Sequence, residues 1–313
     1  MSLLVEPAAR TDSLRLADDR RLAWSEWGPR EGLPVLFCTG AGMSGSLGFG
    51  AECLEREHVR LIGIDRPGLG ASGVDAAKSF ESWTRDVGEL IGARNLTRPC
   101  AVGFSQGGPF ALALAAGGLV SAVAIVAGQD DLGCADLQDR LDPIVAAMIA
   151  AARADPTAFE QQIAATASAE WLWQMVVSMS APQDRQVYED GAFGRLYRTC
   201  LAEGFSQGAG GYARDLVNAV NEWPFALEEI AVPVRLWYGR LDASPVHSPD
   251  FGVTLARRLP NAKLTVDDDA GGSILWTRSG DILRDLIETV AAPAAPGAAD
   301  GNAGRRSHVS NAG

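Results

Sequence analysis

The fold of this chain is decided by the stretch RPCAVGFSQGGPFALALAAG, residues 98–117. Its first part, PCAVGF (99–104), predicts a buried strand, and the apolar segment after Gly107 predicts a helix. Between them lies G-x-S-x-G, in which the glycines permit a tight turn that exposes a serine hydroxyl at the start of a helix. The stretch therefore predicts a strand, a sharp turn and a helix, with Ser105 as a candidate nucleophile.

The same pentapeptide, GFSQG, occurs again at 204–208. Here the preceding segment LYRTCLAE and the following segment AGGYARDLVNAV both predict helices, so no strand leads into Ser206. The glycines indicate a break between two helices. We therefore assign no catalytic role to Ser206.

Short apolar runs alternate with helical segments along most of the chain, which is the pattern of a mostly parallel sheet flanked by helices. The predicted strands are LRLA with RLAWSEW (14–27), 34–40, 59–65, 99–104, 120–128, 232–239 and 262–268. The predicted helices are 79–94, 106–117, 248–259 and 277–291. The fold class is therefore α/β.

One segment breaks this alternation. Residues 130–222 are rich in alanine, helical in pattern and carry many large side chains, which predicts a helical cap inserted into the α/β core. The core then comprises residues 1–129 and 223–290. The tail, 291–313, contains mainly Ala, Pro and Gly and cannot bury enough apolar surface to order itself, so it is predicted to be disordered.

Composition limits the partners of this protein. The 27 basic and 39 acidic side chains give a net charge of −12, which argues against nucleic acid or an anionic membrane as the main partner and favours a small-molecule substrate. No secretory signal or membrane helix is visible, and the five cysteines are spaced like reduced thiols, so we expect a cytoplasmic protein. No nucleotide fingerprint or metal-ligand cluster appears, so no cofactor and no metal are predicted. The sequence does not indicate an oligomeric state.

Four motifs together resemble the α/β-hydrolase superfamily, specifically its capped esterase, lactonase and peptidase-like members, over about residues 20–290. They are PVLFCTGAGMSGS (34–46), IDRPGLGASG (64–73), GFSQGG (103–108) and YGRLDASPV (238–246). The resemblance implies an α/β-hydrolase fold with Ser105 as the nucleophile and Asp242 as the acid of a catalytic triad. It also implies an oxyanion hole formed by the backbone amides of Ala41 and Gln106.

The histidine of that triad is missing from its usual place. In LTVDDDAGGSILW (264–276) the family's histidine falls on Gly272, so the sequence predicts an incomplete triad. Of the three histidines, His58 precedes a strand at the wrong end of the sheet, and His308 lies in the tail. His247 follows Asp242 by five residues at the catalytic edge and is the serious substitute, although a helix cap or a solvent-exposed histidine is the commoner role for such a residue.

Carboxylates are the other possible bases. Asp130 and Asp131 follow a predicted strand, and Asp267 to Asp269 precede Gly272. Each is more often a solvated charge or a helix cap, but a carboxylate buried beside Ser105 could have a raised pKa and act as a base.

Three side chains are predicted to bind substrate. Thr39 stands where the family usually has the histidine before the oxyanion glycine, and Trp171 and Trp173 lie in the predicted cap. The alternative for both tryptophans is that they form the core of the cap itself.

These features predict an enzyme that transfers the acyl group of a small apolar ester, lactone or thioester through Ser105. The missing histidine leaves two alternatives open. One is an isomerase, cyclase or lyase of secondary metabolism on the same scaffold, and the other is a small-ligand binder without turnover.

Overall fold

One sheet of eight strands forms the centre of the protein, whose computed structural model describes residues 5–291. The strands are β1 Arg10–Arg15, β2 Arg21–Trp27, β3 Leu33–Cys38, β4 Val59–Ile64, β5 Cys100–Phe104, β6 Val123–Val126, β7 Val234–Gly239 and β8 Ala262–Asp267. Their order in the sheet is β1-β2-β4-β3-β5-β6-β7-β8. The six strands from β3 to β8 are parallel, whereas β1 and β2 pair antiparallel with their neighbours. This confirms the predicted mostly parallel sheet.

Helices occupy the connections between the parallel strands. They are α1 Ala51–Leu54, α2 Phe80–Ala93, α3 Gly107–Ala116, α4 Pro143–Ala154, α5 Pro156–Thr166, α6 Ala169–Ser178, α7 Pro182–Tyr188, α8 Phe193–Gly204, α9 Gly210–Val220, α10 Val253–Arg258, α11 Ile274–Thr277 and α12 Ser279–Ala291. Two short 3₁₀ helices occupy Ala135–Arg140 and Leu227–Glu229.

Apolar side chains cover both faces of the sheet. One core cluster includes Val35, Val102 and Trp276, and the other includes Leu36 and Phe110. Successive residues of one strand belong to opposite clusters because side chains alternate between the two faces. The parallel strands therefore read as continuous apolar runs, as strands buried on both faces do.

The helices α4 to α9 form a helical insertion between β6 and β7. They fall within the segment 130–222 that the sequence singled out. Three of these helices begin with Pro at the first helical turn, and Asp142, Asp155 and Ser168 cap the N-termini of α4, α5 and α6 with side-chain oxygens. Such caps define separate short helices rather than one long one.

Several predicted boundaries are wrong. The first predicted strand, 14–27, is two strands joined by a turn in which Asp19 has a φ of 70°. The predicted helix 248–259 begins only at Val253, because Phe251 and Gly252 have positive φ and interrupt it. The predicted helix 277–291 is confirmed as α12, which begins two residues later, at Ser279, and a separate short helix, α11, precedes it.

Two further predictions concern the C-terminal tail and membrane-spanning helices. The predicted disordered tail lies outside the described residues, apart from Ala291 at the end of α12, and so does His308. Among the described residues, no helix is both long and apolar enough to cross a membrane.

Candidate active site

Ser105 lies in a strained turn between β5 and α3. Its φ is 51°, in the left-handed region that residues other than glycine rarely adopt. The turn is held by three backbone bonds, in which the N–H of Ser105 donates to Val126 and its carbonyl accepts from Gly108 and Gln129. A Cβ added at Gly107 would lie 2.0 Å from the carbonyl oxygen of Cys38, so this position requires glycine.

His247 approaches Ser105 from the loop that follows β7. Its Nε2 lies 2.9 Å from Ser105 Oγ, and its Nδ1 lies 2.6 Å from Asp242 Oδ2. The N–H of Ser244 donates to the second carboxylate oxygen, Asp242 Oδ1, over 3.0 Å. The serine, the imidazole and the carboxylate thus form one continuous hydrogen-bonded chain.

This arrangement suits one tautomer of a neutral His247 imidazole. An ionised carboxylate can only accept hydrogen bonds, so the Nδ1 of His247 carries the proton that binds Asp242. In a neutral imidazole the Nε2 then has no proton and can accept the hydroxyl proton of Ser105. That tautomer is the one in which a histidine can remove a proton from a serine. Only 10% of the His247 side chain and 5% of the Asp242 side chain are exposed, so water competes little for these bonds.

The prediction of an incomplete triad is therefore corrected. His247, on the loop after β7, supplies an imidazole that contacts both Ser105 and Asp242, whereas Gly272 lies beside the Asp242 carboxylate. A Cβ at Gly272 would lie 2.9 Å from Asp242 Oδ1 and 3.2 Å from its Cγ. Glycine at this position leaves room for the Asp242 carboxylate to sit where His247 can reach it.

The loop that carries His247 is fixed by the residue beside it. The hydroxyl of Ser248 bonds to Asp130 Oδ2 over 2.8 Å and accepts the N–H of Gly252 over 2.8 Å. The N–H of Ser248 donates to the carbonyl of Gly128, just beyond β6. These bonds anchor the loop to the edge of the sheet from which Ser105 also emerges.

None of the carboxylates considered as a base lies beside Ser105. Burial raises the pKa of Asp130 to about 6, but its side chain bonds to Ser248 rather than to Ser105. Asp131, Asp267 and Asp268 pair with arginines, and Asp269 is exposed to solvent.

The remaining nucleophile and base candidates lie elsewhere. His58 directly precedes β4, at the end of the sheet opposite Ser105. Ser206 is exposed in the turn between α8 and α9, beside an open groove of about 660 Å³ whose lining includes no histidine among the described residues. All five cysteines are free, and burial raises the pKa of Cys38 and Cys200 to about 12, so neither is a thiolate at neutral pH.

Two residues whose backbone amides are unpaired within residues 5–291 line the same cavity as Ser105. Ala41 follows β3 and Gln106 follows Ser105, and both residues line the cavity that contains Ser105. In the described part of the chain, neither backbone N–H donates to a protein acceptor. Unpaired amides at the start of a helix and in a glycine-rich loop can bind a developing oxyanion.

The cavity above Ser105 is apolar and has a volume of about 330 Å³. Its lining includes Ser105, His247, Asp242, Gly272, Ala41 and Gln106, and most of its other lining residues belong to the helical insertion. Wall side chains include Met148, Trp171, Met175, Met179, Tyr212 and Leu216. Burial raises the pKa of Tyr188, which also lines the cavity, well above its ordinary value, so its hydroxyl stays neutral.

The structure separates the three predicted substrate-binding residues. Trp171 lines the cavity and is 38% exposed, so it lies at the cavity wall near solvent. Trp173 does not line it, and the prediction for this residue is corrected: its ring packs edge-on against Tyr197 and under Arg198 in the core of the insertion.

Thr39 is the second correction among the substrate-binding residues. It is completely buried, and its hydroxyl donates to the carbonyl of Met43 over 3.0 Å, within its own loop. Its carbonyl accepts from the guanidinium of Arg66 over 2.5 Å. Thr39 thus shapes the loop of Ala41 instead of contacting the cavity.

The sequence contained a signal for His247 that outweighs the helix-cap interpretation in retrospect. Asp242 and His247 lie on one loop, at the same edge of the sheet as Ser105. The turn closed by the N–H of His247 on the carbonyl of Ser244 folds the imidazole back onto Asp242. The sequence carried no comparable signal for the hydrogen bonds of Arg66, because the residues that it contacts lie far away along the chain.

Comparison with known proteins agrees with this architecture. A family model described as alpha/beta hydrolase fold matches residues 34–279. No curated protein matches the chain in sequence.

Solved structures with the same fold are numerous and distant in sequence. A bromoperoxidase from Bacillus anthracis has a TM-score of 0.67 and 18% identity, over 90% of this chain and 100% of that chain. An enol-lactonase from Burkholderia xenovorans has a TM-score of 0.65 and 18% identity, over 90% and 100%. An esterase from Exiguobacterium antarcticum has a TM-score of 0.61 and 16% identity, over 90% and 99%. At these identities the similarity extends to the fold alone.

Proposed function

The chain belongs to the alpha/beta hydrolase fold family, and we propose that it is a serine hydrolase with the triad Ser105, His247 and Asp242. The proposed substrates are small, largely apolar esters, lactones or thioesters. The observation that carries the proposal is the imidazole of His247, 2.9 Å from the serine oxygen and 2.6 Å from the carboxylate.

In the first half of the proposed reaction the enzyme is acylated, and the triad and the two backbone amides each have one role. Ser105 Oγ attacks the substrate carbonyl carbon while its proton passes to Nε2 of His247, and Asp242 stabilises the resulting imidazolium. The carbonyl oxygen becomes an oxyanion that accepts hydrogen bonds from the N–H groups of Ala41 and Gln106. When the intermediate collapses, the bond to the leaving oxygen or sulfur breaks, and His247 returns the proton to that atom.

Deacylation repeats these steps with water as the nucleophile. Water attacks the acyl carbon and gives a proton to Nε2 of His247. Collapse of the second intermediate breaks the bond to Ser105 Oγ, which takes the proton back from the imidazole. The products are a carboxylic acid and a free enzyme.

The cavity supports the proposed substrate class. Its volume of about 330 Å³ is at the small end of the usual range for small-molecule sites. Methionine, leucine and aromatic side chains form its walls, and such walls favour an apolar acyl or alcohol group. The net charge of −12 also disfavours a strongly anionic substrate.

The two alternatives derived from the sequence both depended on a missing base. An isomerase, cyclase or lyase would use the oxyanion hole without a serine nucleophile, and a binding protein would need neither. The contact between His247 and Ser105 favours a nucleophilic serine over both alternatives.

Hydrolysis of p-nitrophenyl acetate and p-nitrophenyl butyrate, with fluorophosphonate labelling in parallel, tests the proposal. We expect Ser105→Ala to abolish labelling, and His247→Ala to lower kcat by about 10³-fold or more. Asp242→Asn should lower kcat by a similar order, because an amide can stabilise the wrong imidazole tautomer.

The chain offers matched controls for these variants. Ser206→Ala alters the same pentapeptide at its second copy, and His58→Ala removes a histidine at the opposite end of the sheet. Both should keep wild-type kcat and labelling. A wild-type protein that is folded but neither hydrolyses these esters nor reacts with fluorophosphonate would refute the proposal, and so would His247→Ala with unchanged kcat.

A further inference from the structure

The loop that carries the Ala41 amide is held by one buried arginine. Arg66 follows β4 and is completely buried. Its Nη1 donates to the carbonyl of Thr39 over 2.5 Å, and its Nη2 donates to the carbonyl of Gly40 over 3.0 Å. Two consecutive carbonyl groups of the loop therefore point at the same guanidinium.

The second of these bonds determines the direction of the Ala41 N–H. The carbonyl of Gly40 and the N–H of Ala41 belong to one peptide unit, which is trans and planar, so the two groups point in opposite directions. Because the carbonyl faces the arginine, the N–H faces away from it. Ala41 lines the cavity on that other side, and its N–H finds no acceptor within the described residues.

The arginine is itself anchored to the helical insertion. Its Nε donates to Asp215 Oδ2 in α9 over 2.8 Å, and its guanidinium lies 4.7 Å from the centre of the Phe110 ring in α3. The Lys78 ammonium lies 2.5 Å from Asp215 Oδ1 as an ion pair, while it donates hydrogen bonds to the carbonyls of Pro67 and Gly211. Arg66, Asp215 and Lys78 are all at least 98% buried.

We infer that Arg66 is a positioning residue for the oxyanion hole, acting through the Thr39 and Gly40 carbonyls to aim the N–H of Ala41 at the reacting carbonyl oxygen. This inference rests on the proposed hydrolase function. Asp215 fixes the guanidinium in that orientation, so the Arg66 side chain links the helical insertion to the oxyanion loop.

Two physical effects make an arginine suitable for this role. Its planar fork has donors spaced to bond two carbonyls and a carboxylate at once, which the point charge of a lysine cannot do with the same geometry. A cation that donates to a carbonyl also polarises that amide, so the N–H of the same peptide becomes a stronger donor. Both effects are larger in a buried site than in water.

The test compares Arg66→Met with Arg20→Met. Arg20 also donates two hydrogen bonds to a buried aspartate, Asp86, but it contacts no part of the oxyanion loop. We expect Arg66→Met to lower kcat by about 100-fold with KM changed less than about threefold, as for loss of an oxyanion donor. Arg20→Met should lower the melting temperature and leave kcat near that of the wild type.

An alkyl trifluoromethyl ketone supplies a readout that a purely structural role would not change. Its adduct with Ser105 carries an oxyanion, so its Ki should rise in Arg66→Met by about the factor by which kcat/KM falls. Unchanged kcat and Ki in a folded Arg66→Met variant would refute the inference while the wild-type enzyme still hydrolyses esters. A wild-type protein without hydrolysis or labelling would instead refute the proposed function, and this inference with it.

Two further measurements decide the case if Arg66→Met does not fold. Arg66→Lys keeps a cation beside Asp215 but cannot hold both carbonyls, so we expect about a 10-fold lower kcat in a folded protein. A crystal structure of the wild-type trifluoromethyl ketone adduct should place the adduct oxygen within about 3.1 Å of the Ala41 nitrogen. A wild-type kcat in Arg66→Lys, or an adduct oxygen that does not contact Ala41, would overturn the inference.

Discussion

A single methyl group at position 272 should impair catalysis without harming the fold. Gly272 does not have a positive φ, so alanine can adopt its backbone conformation. The added Cβ would, however, lie 2.9 Å from Asp242 Oδ1, where ordinary contacts begin at 3.4 Å. The carboxylate must therefore retreat by about 0.5 Å or rotate away.

That displacement acts on the shortest bond of the triad. Asp242 Oδ2 lies 2.6 Å from Nδ1 of His247, and Ser244 holds the other oxygen in place, so the carboxylate cannot shift without disturbing one of the two bonds. Misplacement of a catalytic group by about 1 Å can cost about 10²-fold in rate. For a shift of about half that size we expect kcat to fall about 10-fold in Gly272→Ala.

The assay is the steady-state hydrolysis of p-nitrophenyl butyrate, with the melting temperature measured in parallel. Gly92→Ala is the matched control, because a Cβ at Gly92 meets no atom within 4 Å. It should keep wild-type kcat and gain slight stability from the reduced freedom of the unfolded chain. Unchanged kcat in Gly272→Ala, or an equal loss in Gly92→Ala, would show that Asp242 does not depend on the space left by Gly272.

Three other predictions concern His247, the buried carboxylate of Asp130 and the cavity wall at Trp171. His247→Ala combined with Gly272→His should remain as inactive as His247→Ala alone, since the new side chain enters the space of Asp242; recovery of most wild-type kcat would contradict this. Burial raises the pKa of Asp130 from 3.8 to about 6, so the folded state binds the carboxyl proton more tightly than the unfolded state does. The free energy of unfolding therefore falls as the pH rises from about 4 to about 6. Asp130→Asn should thus gain roughly 2 kcal/mol relative to the wild type between pH 4 and pH 7 in urea unfolding, whereas a difference independent of pH would contradict the raised pKa. Trp171→Ala should raise KM about 10-fold for p-nitrophenyl butyrate with little change in kcat, because the lost contact is equally available to ground state and transition state; a fall in kcat alone would place Trp171 in a different role.

Much of the fold follows from local patterns. The parallel strands are buried on both faces, so each appears as a continuous apolar run, and β3, β4, β5, β7 and β8 lie within or close to their predicted spans. Boundaries were wrong where a few backbone angles interrupt a helix or strand, as at Phe251 and Gly252 before α10. Such interruptions depend on hydrogen bonds such as that from the N–H of Gly252 to Ser248, which no local pattern reveals.

The position of Ser105 was predictable because five consecutive residues define the turn that holds it. A glycine before and after the serine, with a strand on one side and a helix on the other, already defines the turn. The base was not predictable with the same certainty, because the contact between His247 and Ser105 joins residues 142 positions apart. The sequence placed His247 at the correct edge of the sheet but did not reveal how close its side chain lies to Ser105.

The amino-acid sequence by itself determined the α/β architecture and the strained turn at Ser105. These features depend on apolar periodicity and on turn chemistry within a few neighbouring residues. Only the tertiary structure decided that an imidazole reaches the serine, that Thr39 and Trp173 lie outside the cavity, and that Arg66 bonds to the carbonyls of Thr39 and Gly40. Each of those depends on distances between segments far apart in the chain, which are determined by how the sheet and the helical insertion pack together.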